Sequence, residues 1–168
     1  MLSIPGRPVR TCDGISRRDL LRVRIEPPGV PSFDVFVVHL KSRQGGEEST
    51  VTRMAEAKAA RALLDRVLED EPAASFVLCG DLNDTSDSEP IRALIGAGPT
   101  ALQGFIEDIP EAQRKSYNKP PYESMIDFIF CSPAMAKWYE RGSYRIVSGT
   151  VESSGSDHNP VVARFKIR

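Results

Sequence analysis

One apolar stretch that ends in a polar turn constrains this chain more than any other feature. Residues 76–79 (Phe-Val-Leu-Cys) have the length and composition of a buried strand, and Gly80 permits a sharp turn at its end. In an extended continuation Asp81 and Asn83 would point to the same side, with Leu82 directed back into the core. A carboxylate and an amide aimed at one point suit a metal ion, a water molecule or a phosphoryl group. An Asx-rich turn after a strand is the alternative interpretation.

The overall composition is that of one globular domain over residues 1–168. Hydrophobic residues make up 40%, charged residues 27%, and the formal net charge is −1, so there is no global electrostatic reason to bind nucleic acid. The charge is uneven, however, because residues 1–25 contain six Arg and two Asp, a net charge of +4. Such an arm could attract phosphates, or it could be an ordinary solvated surface.

The cysteines and the apolar runs indicate a compartment. Cys12, Cys79 and Cys131 are odd in number and widely spaced, which suits neither a disulfide framework nor a zinc site and leans towards a reducing compartment. No run is long enough for a transmembrane helix, and the N-terminus has no signal-peptide core. We therefore expect a cytoplasmic protein as the chain stands, although a longer N-terminus could contain a signal peptide.

Strands and helices alternate along the chain, which predicts an α/β or α+β domain with helices over a sheet. The clearest helix combines abundant alanine with apolar residues at helical spacing and is stopped by Pro72. The predicted helices span 52–69, 88–96 and 132–140. The predicted strands span 20–25, 35–40, 76–79, 124–131, 144–147 and 161–167, with loops at 44–47 and 149–155.

Two histidines at predicted strand ends and one acid inside a predicted strand are candidates for catalysis. His39 ends a buried strand and His158 precedes the last one; if that strand runs antiparallel to the others, both imidazoles lie at the edge that bears the Asp81–Asn83 turn. Asp127 lies inside an apolar run, where a carboxylate is costly to bury unless it is paired. A histidine is a suitable partner, because a carboxylate behind an imidazole orients a catalytic base. An edge position with backbone amide donors is the alternative.

Two familiar site types are excluded by geometry and spacing. Ser156, Asp157 and His158 are consecutive, so their side chains diverge and cannot form a nucleophile, base and orienting acid among themselves. An EF-hand loop starting at Asp81 would need Gly and Glu where the chain has Ser86 and Arg92. A site with a small number of carboxylates and oxygen-rich neighbours fits Mg²⁺ or Mn²⁺ better than Zn²⁺.

Four segments in a fixed order resemble the endonuclease/exonuclease/phosphatase superfamily, which has the deoxyribonuclease I-like fold. They are Val-Val-His-Leu-Lys-Ser (37–42), Gly-Asp-Leu-Asn (80–83), Ile-Asp-Phe-Ile (126–129) and Ser-Asp-His-Asn-Pro-Val-Val (156–162). Residues 16–19 (Ser-Arg-Arg-Asp) also resemble the family's Ser-Arg-acid segment, in which Arg18, or else Arg17, would contact phosphate. The resemblance implies a β-sandwich flanked by helices and a divalent-metal-dependent phosphoesterase that acts most naturally on phosphodiesters, including nucleic acid.

The resemblance also implies a role for each matching residue. His158, oriented by Asp127, would exchange protons with the scissile phosphate group. Asp157 would bind Mg²⁺ or Mn²⁺, and Asp81 would position the attacking water. Asn83 would hydrogen-bond the phosphoryl oxygens and His39 would contact the phosphate as a second imidazole.

The start of the chain departs from the family pattern. Members begin with an Asn-bearing strand and a strand that ends in the main metal-binding Glu, but only sixteen residues precede Arg17 and none of them is Glu. We therefore expect an N-terminally truncated domain, which leaves three explanations: a fragment, a partner chain that supplies the rest, or an inactive remnant. Missing strands would expose a sheet edge and favour a homodimer or an assembly module. The sequence leaves open whether the chain turns over substrate by itself.

Overall fold

A mixed sheet of five strands contains the apolar stretch as an interior strand, between its third and fifth strands. The computed structural model describes residues 8–9, 20–149 and 151–168. The sheet strands, in spatial order, are β1 (Pro8–Val9), β2 (Leu20–Ile25), β3 (Phe33–Val37), β4 (Phe76–Asp81) and β5 (Asp127–Cys131). The helices are α1 (Gly46–Asp70), α2 (Glu89–Ile95), α3 (Pro133–Ala136) and α4 (Val151–Ser154), and 3-10 turns lie at Gly98–Thr100, Ile106–Asp108 and Glu111–Gln113. A separate pair, β6 (Arg145–Ile146) and β7 (Val161–Val162), is antiparallel.

The topology brings three strand ends to one edge. β3 and β4 are parallel and joined through α1, whereas β5 runs antiparallel to β4. The carboxyl ends of β3 and β4 therefore lie beside the start of β5, and the register pairs Asp81 directly with Asp127. An α/β fold with helices flanking a mixed sheet is thus confirmed.

The sheet has apolar residues on both faces, which explains the continuous apolar run of β4. On the α1 side, Phe36 and Phe76 meet edge to face at 5.3 Å, beneath the buried Leu64 of the helix. On the other side, Val77 and Cys131 pack against Met135 of α3. A transmembrane helix was not expected, and no helix in the described ranges is long and apolar enough to cross a membrane.

Helix α1 begins six residues earlier than predicted. Gly45, with φ 116°, caps the helix in the left-handed conformation, so the supposed Gly-rich loop already contributes the first turn. Glu47 and Glu48 in that turn interact favourably with the positive end of the helix dipole. The predicted start at Thr52 was wrong because a glycine N-cap has none of the Ser, Thr or Asp signal that marks most helix starts.

The predictions for the last third of the chain were the least accurate. β5 starts at Asp127 rather than 124, α3 ends at Ala136 rather than 140, and residues 151–154 are helical rather than loop. The last strand, predicted over 161–167, has only two residues and pairs with β6 outside the main sheet. Phe165 forms a single bridge, to Tyr139, so two backbone hydrogen bonds and packing hold this segment rather than a longer strand.

Candidate functional site

A cavity of about 870 Å³ opens at the edge where the strand ends meet. It brings together five of the residues that the sequence predicted for the site, namely His39, Asp81, Asn83, Asp157 and His158. The sixth, Asp127, lies behind the cavity wall in contact with His158. The predicted phosphate ligand Arg18, like Arg17, lies outside the described residues.

The pair formed by Asp127 and His158 has the geometry of an oriented base. His158 Nδ1 lies 2.8 Å from Asp127 Oδ2. A carboxylate can only accept a hydrogen bond, so Nδ1 carries the proton and Nε2 is left as the basic nitrogen of the neutral ring. The edge-to-face contact with Tyr117, at 5.2 Å between ring centroids, restricts the rotation of the imidazole.

His158 reaches the site by a route that the sequence did not predict. The long loop before β5 forms an isolated bridge from Tyr117 to Ser124 and another from Tyr117 to His158. Tyr117 therefore connects the segment that contains His158 to the segment that leads into β5. The predicted convergence occurs, but through these bridges rather than through an antiparallel last strand in the main sheet.

Ser116 is a site residue that sequence reasoning missed. It is fully buried, and its Oγ accepts hydrogen bonds from the backbone N–H groups of Ile126 (3.0 Å) and Asp127 (2.9 Å). Its single hydrogen is donated to Asp127 Oδ2 at 2.7 Å. Ser116 thus fixes the carboxylate that orients His158. It belongs to a loop with no recognisable pattern, so no sequence signal could have identified it.

The turn after β4 is an Asx turn that borders the cavity. Asp81 Oδ1 accepts a hydrogen bond from the Asn83 backbone N–H at 2.9 Å, which is an Asx turn, and Asn83 adopts a positive φ of 53°. The side chains of Asp81 and Asn83 also line the cavity. Asn83 Nδ2 donates to the Leu40 carbonyl (3.0 Å) and to Asp81 Oδ2 (3.1 Å), so both amide hydrogens are engaged.

Gly80 is required by a close approach of two backbones. A Cβ added to Gly80 would lie 1.8 Å from the Val38 carbonyl oxygen, and its φ of 145° strains any other residue. The hydrogen bond from Val38 N–H to the Cys79 carbonyl, at 3.0 Å, extends the pairing of β3 and β4 to this point. Gly80 therefore sets how closely the His39 segment approaches Asp81.

Asp81 is a cavity carboxylate that lies beside one imidazole and opposite a second carboxylate. His39 Nε2 lies 3.2 Å from Asp81 Oδ2, although the His39 side chain itself is half exposed. Burial raises the pKa of Asp81, and the nearby Asp127 raises it further, whereas the hydrogen bond from Asn83 and the two imidazoles oppose the increase. The imidazoles and the hydrogen bond from Asn83 therefore offset only part of the cost of burying the ionised Asp81.

The donor set fits a divalent cation. Asp81, Asp127 and His158 offer ligand atoms that all lie within 4.8 Å of one another. A cation beside Asp81 would relieve the cost of burying its charge, and oxygen donors are the ones that Mg²⁺ and Mn²⁺ prefer. Asp127 Oδ2 is already occupied by two donors, which makes Asp127 the least suited of the three. Asp157, the predicted ligand, lines the same cavity but is not part of this cluster.

Two further cavity residues were not predicted from the sequence. Arg43 lines the cavity, and its guanidinium is exposed and lies 3.7 Å from Asp84 Oδ1, too far for a hydrogen bond. Tyr122 is 73% exposed at the rim. A cation and an aromatic ring in lining positions could contact a phosphate and a flat or apolar group, respectively.

Comparison with known proteins agrees with this geometry. A sequence model described as the Endonuclease/Exonuclease/phosphatase family matches residues 9–161. A search of curated proteins found no significant match. Among solved structures, truncated TDP2 from Caenorhabditis elegans (14% identity, TM-score 0.68), the human Nocturnin catalytic domain with a bound sulfate anion (18%, 0.67) and D. rerio TDP2 complexed with single strand DNA product (16%, 0.62) are similar.

The similarity covers most of this chain but only part of each known structure. It covers 95%, 99% and 92% of this chain, and 65%, 59% and 64% of the three structures in the same order. The chain therefore spans about three fifths of the length of these structures. At such low identity the likeness concerns the fold alone, and it confirms the deoxyribonuclease I-like fold that the sequence predicted.

Proposed function

We propose that this chain, which belongs to the endonuclease/exonuclease/phosphatase family, carries the site of a divalent-metal-dependent phosphoesterase that hydrolyses phosphodiesters. The observation that carries the proposal is the hydrogen bond between Asp127 and His158 at 2.8 Å, in the wall of a cavity shared with Asp81 and Asn83. Structural ion pairs of this kind are common, but this one lies beside Asp81, a partly buried carboxylate whose pKa is raised mainly by burial, and such perturbed groups cluster at functional sites. We take residues 1–168 as a single, partial domain of the family.

The chain's own residues divide the work of hydrolysis. His158 accepts or donates a proton at Nε2, because Nδ1 is held by Asp127. Asp81, once ionised, accepts a hydrogen bond from the attacking water and orients it. Asn83 donates to a phosphoryl oxygen after releasing its bond to Asp81 Oδ2, since both of its amide hydrogens are otherwise engaged. His39, half exposed beside Asp81, contacts the phosphate from the other side.

The cofactor in this proposal is Mg²⁺ or Mn²⁺. Asp81 and Asp157 would hold it, because Asp127 is committed to Ser116 and His158. When bound, such an ion supplies Lewis-acid stabilisation of the negative charge on the phosphoryl oxygens. The preference for these two ions over Zn²⁺ follows from oxygen donors and from the absence of cysteine among the residues that line the cavity in the described part of the chain.

The substrate class is a phosphodiester with a group that can stack, and single-stranded nucleic acid fits best. Arg43 at the cavity and Arg18 in the basic N-terminal arm supply cations for phosphates. The exposed ring of Tyr122 at the rim suits stacking against a base. One similar structure, D. rerio TDP2, holds a single strand DNA product, which supports this choice for the present chain.

The experiment is hydrolysis of bis(p-nitrophenyl) phosphate and of a labelled single-stranded oligonucleotide in the presence of Mg²⁺ or Mn²⁺. His158→Ala should reduce the rate at least about 100-fold, the usual contribution of a general acid–base group. Lys58→Ala is the matched control, because Lys58 is exposed on α1 and does not line the cavity. Activity of His158→Ala equal to that of Lys58→Ala would refute the proposal.

A second candidate function is a non-catalytic assembly module that forms a homodimer. It is favoured by one observation: Leu21 and Val37 lie opposite each other on β2 and β3 and are 40% and 38% exposed. A second copy of the chain could cover this apolar pair. Sedimentation velocity decides this candidate, because a chain that stays monomeric over a hundredfold range of concentration, about 1 to 100 μM, and hydrolyses a diester excludes it.

A further inference from the structure

The first half of α1 buries two charged side chains on the face that points to the cavity edge. Arg53 and Glu56 are only 2% and 5% exposed, and they lie one helical turn apart. Charged groups are buried at a cost that only good pairing offsets, and an apolar pair of similar volume would often pack the helix equally well. The partners of Arg53 and Glu56 therefore indicate why the charges are there.

Both backbone groups of Lys41 are bound by this single turn of α1. The Lys41 N–H donates to Glu56 Oε2 at 2.6 Å, and Arg53 Nη1 donates to the Lys41 carbonyl at 3.0 Å. Lys41 follows His39 by two residues and lies beyond the last residue of β3. The backbone pairing of β3 and β4 ends with the bond from the Leu40 N–H to the Asp81 carbonyl, so side chains of the helix hold the next residue, Lys41.

The same guanidinium also binds the segment that follows β4. Arg53 Nε donates to Asp84 Oδ2 at 2.9 Å, and both side chains are almost completely buried. Asp84 is the residue after Asn83 and accepts a bond from the Thr85 N–H at 3.0 Å through its other oxygen. Arg53 thus uses two of its nitrogens as a fork, one for each of the two segments that carry site residues.

The two segments are also connected to each other. The Leu40 N–H donates to the Asp81 carbonyl, and Asn83 Nδ2 donates to the Leu40 carbonyl, both at 3.0 Å. These bonds and the fork of Arg53 form a closed set around the contact between His39 Nε2 and Asp81 Oδ2. No other arginine in the described ranges of the chain bonds to both segments.

We propose that Arg53 and Glu56 are positioning residues, which hold His39 against Asp81 by fixing the backbone of Lys41 and the side chain of Asp84. Neither lines the cavity, so neither contacts the substrate. The inference rests on the proposed function for its catalytic meaning, but the position of the His39 ring is measurable without any activity. A rigid fork is needed for this task, because a lysine at position 53 can reach one of the two segments but not both.

The test uses the fact that the chain has only two histidines, so that histidine-selective NMR resolves each imidazole. In Arg53→Lys and in Glu56→Met, the His39 signal should shift by more than its line width, whereas the His158 signal should not. Glu56→Gln keeps an oxygen that accepts the Lys41 N–H and should leave both signals in place. If the enzyme is active, kcat for the diester should fall about 10- to 100-fold in Arg53→Lys with KM nearly unchanged, as expected from misplaced catalytic groups.

Arg61→Lys is the matched control. Arg61 lies two turns further along α1, about 12 Å away, and binds the Ile95 and Thr100 carbonyls, so its loss weakens the fold without touching the site. If Arg53→Lys lowers the unfolding free energy as Arg61→Lys does and neither imidazole signal shifts, the role is structural and the inference is overturned. Shifts of both signals in every variant would overturn it as well.

The remaining outcomes are also decisive. Should Arg53→Lys fail to fold, the comparison of Glu56→Met with Glu56→Gln decides, since positioning requires that only the methionine variant shifts His39. An inactive wild type with the expected NMR shifts would refute the proposed function alone. An active wild type whose His39 signal is unchanged in both Arg53→Lys and Glu56→Met would refute the positioning role alone.

Discussion

Replacing Asp127 by asparagine tests the orientation of His158 most finely. Ser116 Oγ accepts hydrogen bonds from two backbone N–H groups, and its single hydrogen is donated to Asp127 Oδ2. In Asp127→Asn, the amide oxygen must occupy the position of Oδ2, since an NH₂ group there would face two donors. His158 therefore keeps its proton on Nδ1, and the variant loses charge but not the correct tautomer.

The expected loss of activity in Asp127→Asn follows from the geometry of the Asp127–His158 pair. The charge centres of Asp127 and a protonated His158 are about 4 Å apart, which corresponds to about 4 kcal/mol at an effective dielectric constant of about 20. The side chains are 21% and 31% exposed, and solvent screening reduces the interaction to roughly 2 kcal/mol. Asp127→Asn should therefore reduce kcat/KM about 30-fold.

The double variant Ser116→Ala/Asp127→Asn should be much worse than either single one. Without the hydroxyl the amide can turn its NH₂ group towards His158 and stabilise the wrong tautomer, a change that costs up to about 10⁴-fold in a comparable triad. Ser116→Ala alone should cost less activity than Asp127→Asn, because the carboxylate stays charged. The assay is steady-state hydrolysis of a phosphodiester by the four proteins of this double-mutant cycle.

Ser132→Ala is the matched control for lost stability. Ser132 is also fully buried, and its Oγ likewise accepts two backbone N–H groups and donates to one oxygen, far from the cavity (Phe76, Met135 and Ala74). Urea unfolding should give similar losses for Ser132→Ala and Ser116→Ala, with no synergy between Ser132→Ala and Asp127→Asn. A loss of 10⁴-fold in Asp127→Asn alone, with no further loss in the double variant, would refute the role assigned to the Ser116 hydrogen.

Three more predictions concern pH, backbone geometry and thiol chemistry. Burial is the main cause that raises the folded pKa of Asp81 above its ordinary value of 3.8, so the contribution of Asp81 to stability is lost as pH rises from that ordinary value through the folded pKa. In metal-free buffer, Asp81→Asn should therefore gain stability relative to wild type as pH rises through this range, and a constant difference in urea titrations would contradict this. Gly80→Ala places a Cβ against the Val38 carbonyl and should lower the unfolding free energy by about 3 kcal/mol. The unstrained control Ala59→Gly should lower it by about 1 kcal/mol, and an equally small loss in Gly80→Ala would contradict the prediction. Burial raises the pKa of Cys131 to about 12, so its labelling by a thiol reagent should require unfolding, and rapid labelling of the native protein would refute this.

The apolar pattern could predict the strands that carry three site residues. The run before Gly80 has the length of a central strand, and the run after Asp127 has that of its neighbour, so pairing these runs places Asp81 opposite Asp127. His39 follows a third apolar run, whose strand is parallel to β4 and ends at the same edge. Periodicity and strand length predict these strands and roughly where they end, whereas the pairing direction and the register come from the structure.

The contacts that support the site could not be predicted in the same way. Ser116 lies in a loop, where tertiary hydrogen bonds rather than local periodicity determine its position. On α1, the apolar Met54 is only partly buried, whereas the charged Arg53 and Glu56 are buried. A charged side chain on a helix is expected in solvent unless its partners are known, and here the partners are 12 to 31 residues away.

The central claim, that this chain carries a divalent-metal-dependent phosphoesterase site, is tested most directly by metal removal and return. The chain is treated with EDTA, dialysed, and assayed on a phosphodiester with no addition, with Mg²⁺, with Mn²⁺ and with Ca²⁺. Hydrolysis should disappear in the chelated protein and return with Mg²⁺ or Mn²⁺ in wild type but not in His158→Ala. Hydrolysis that persists after chelation, or that returns equally in His158→Ala, would contradict the claim.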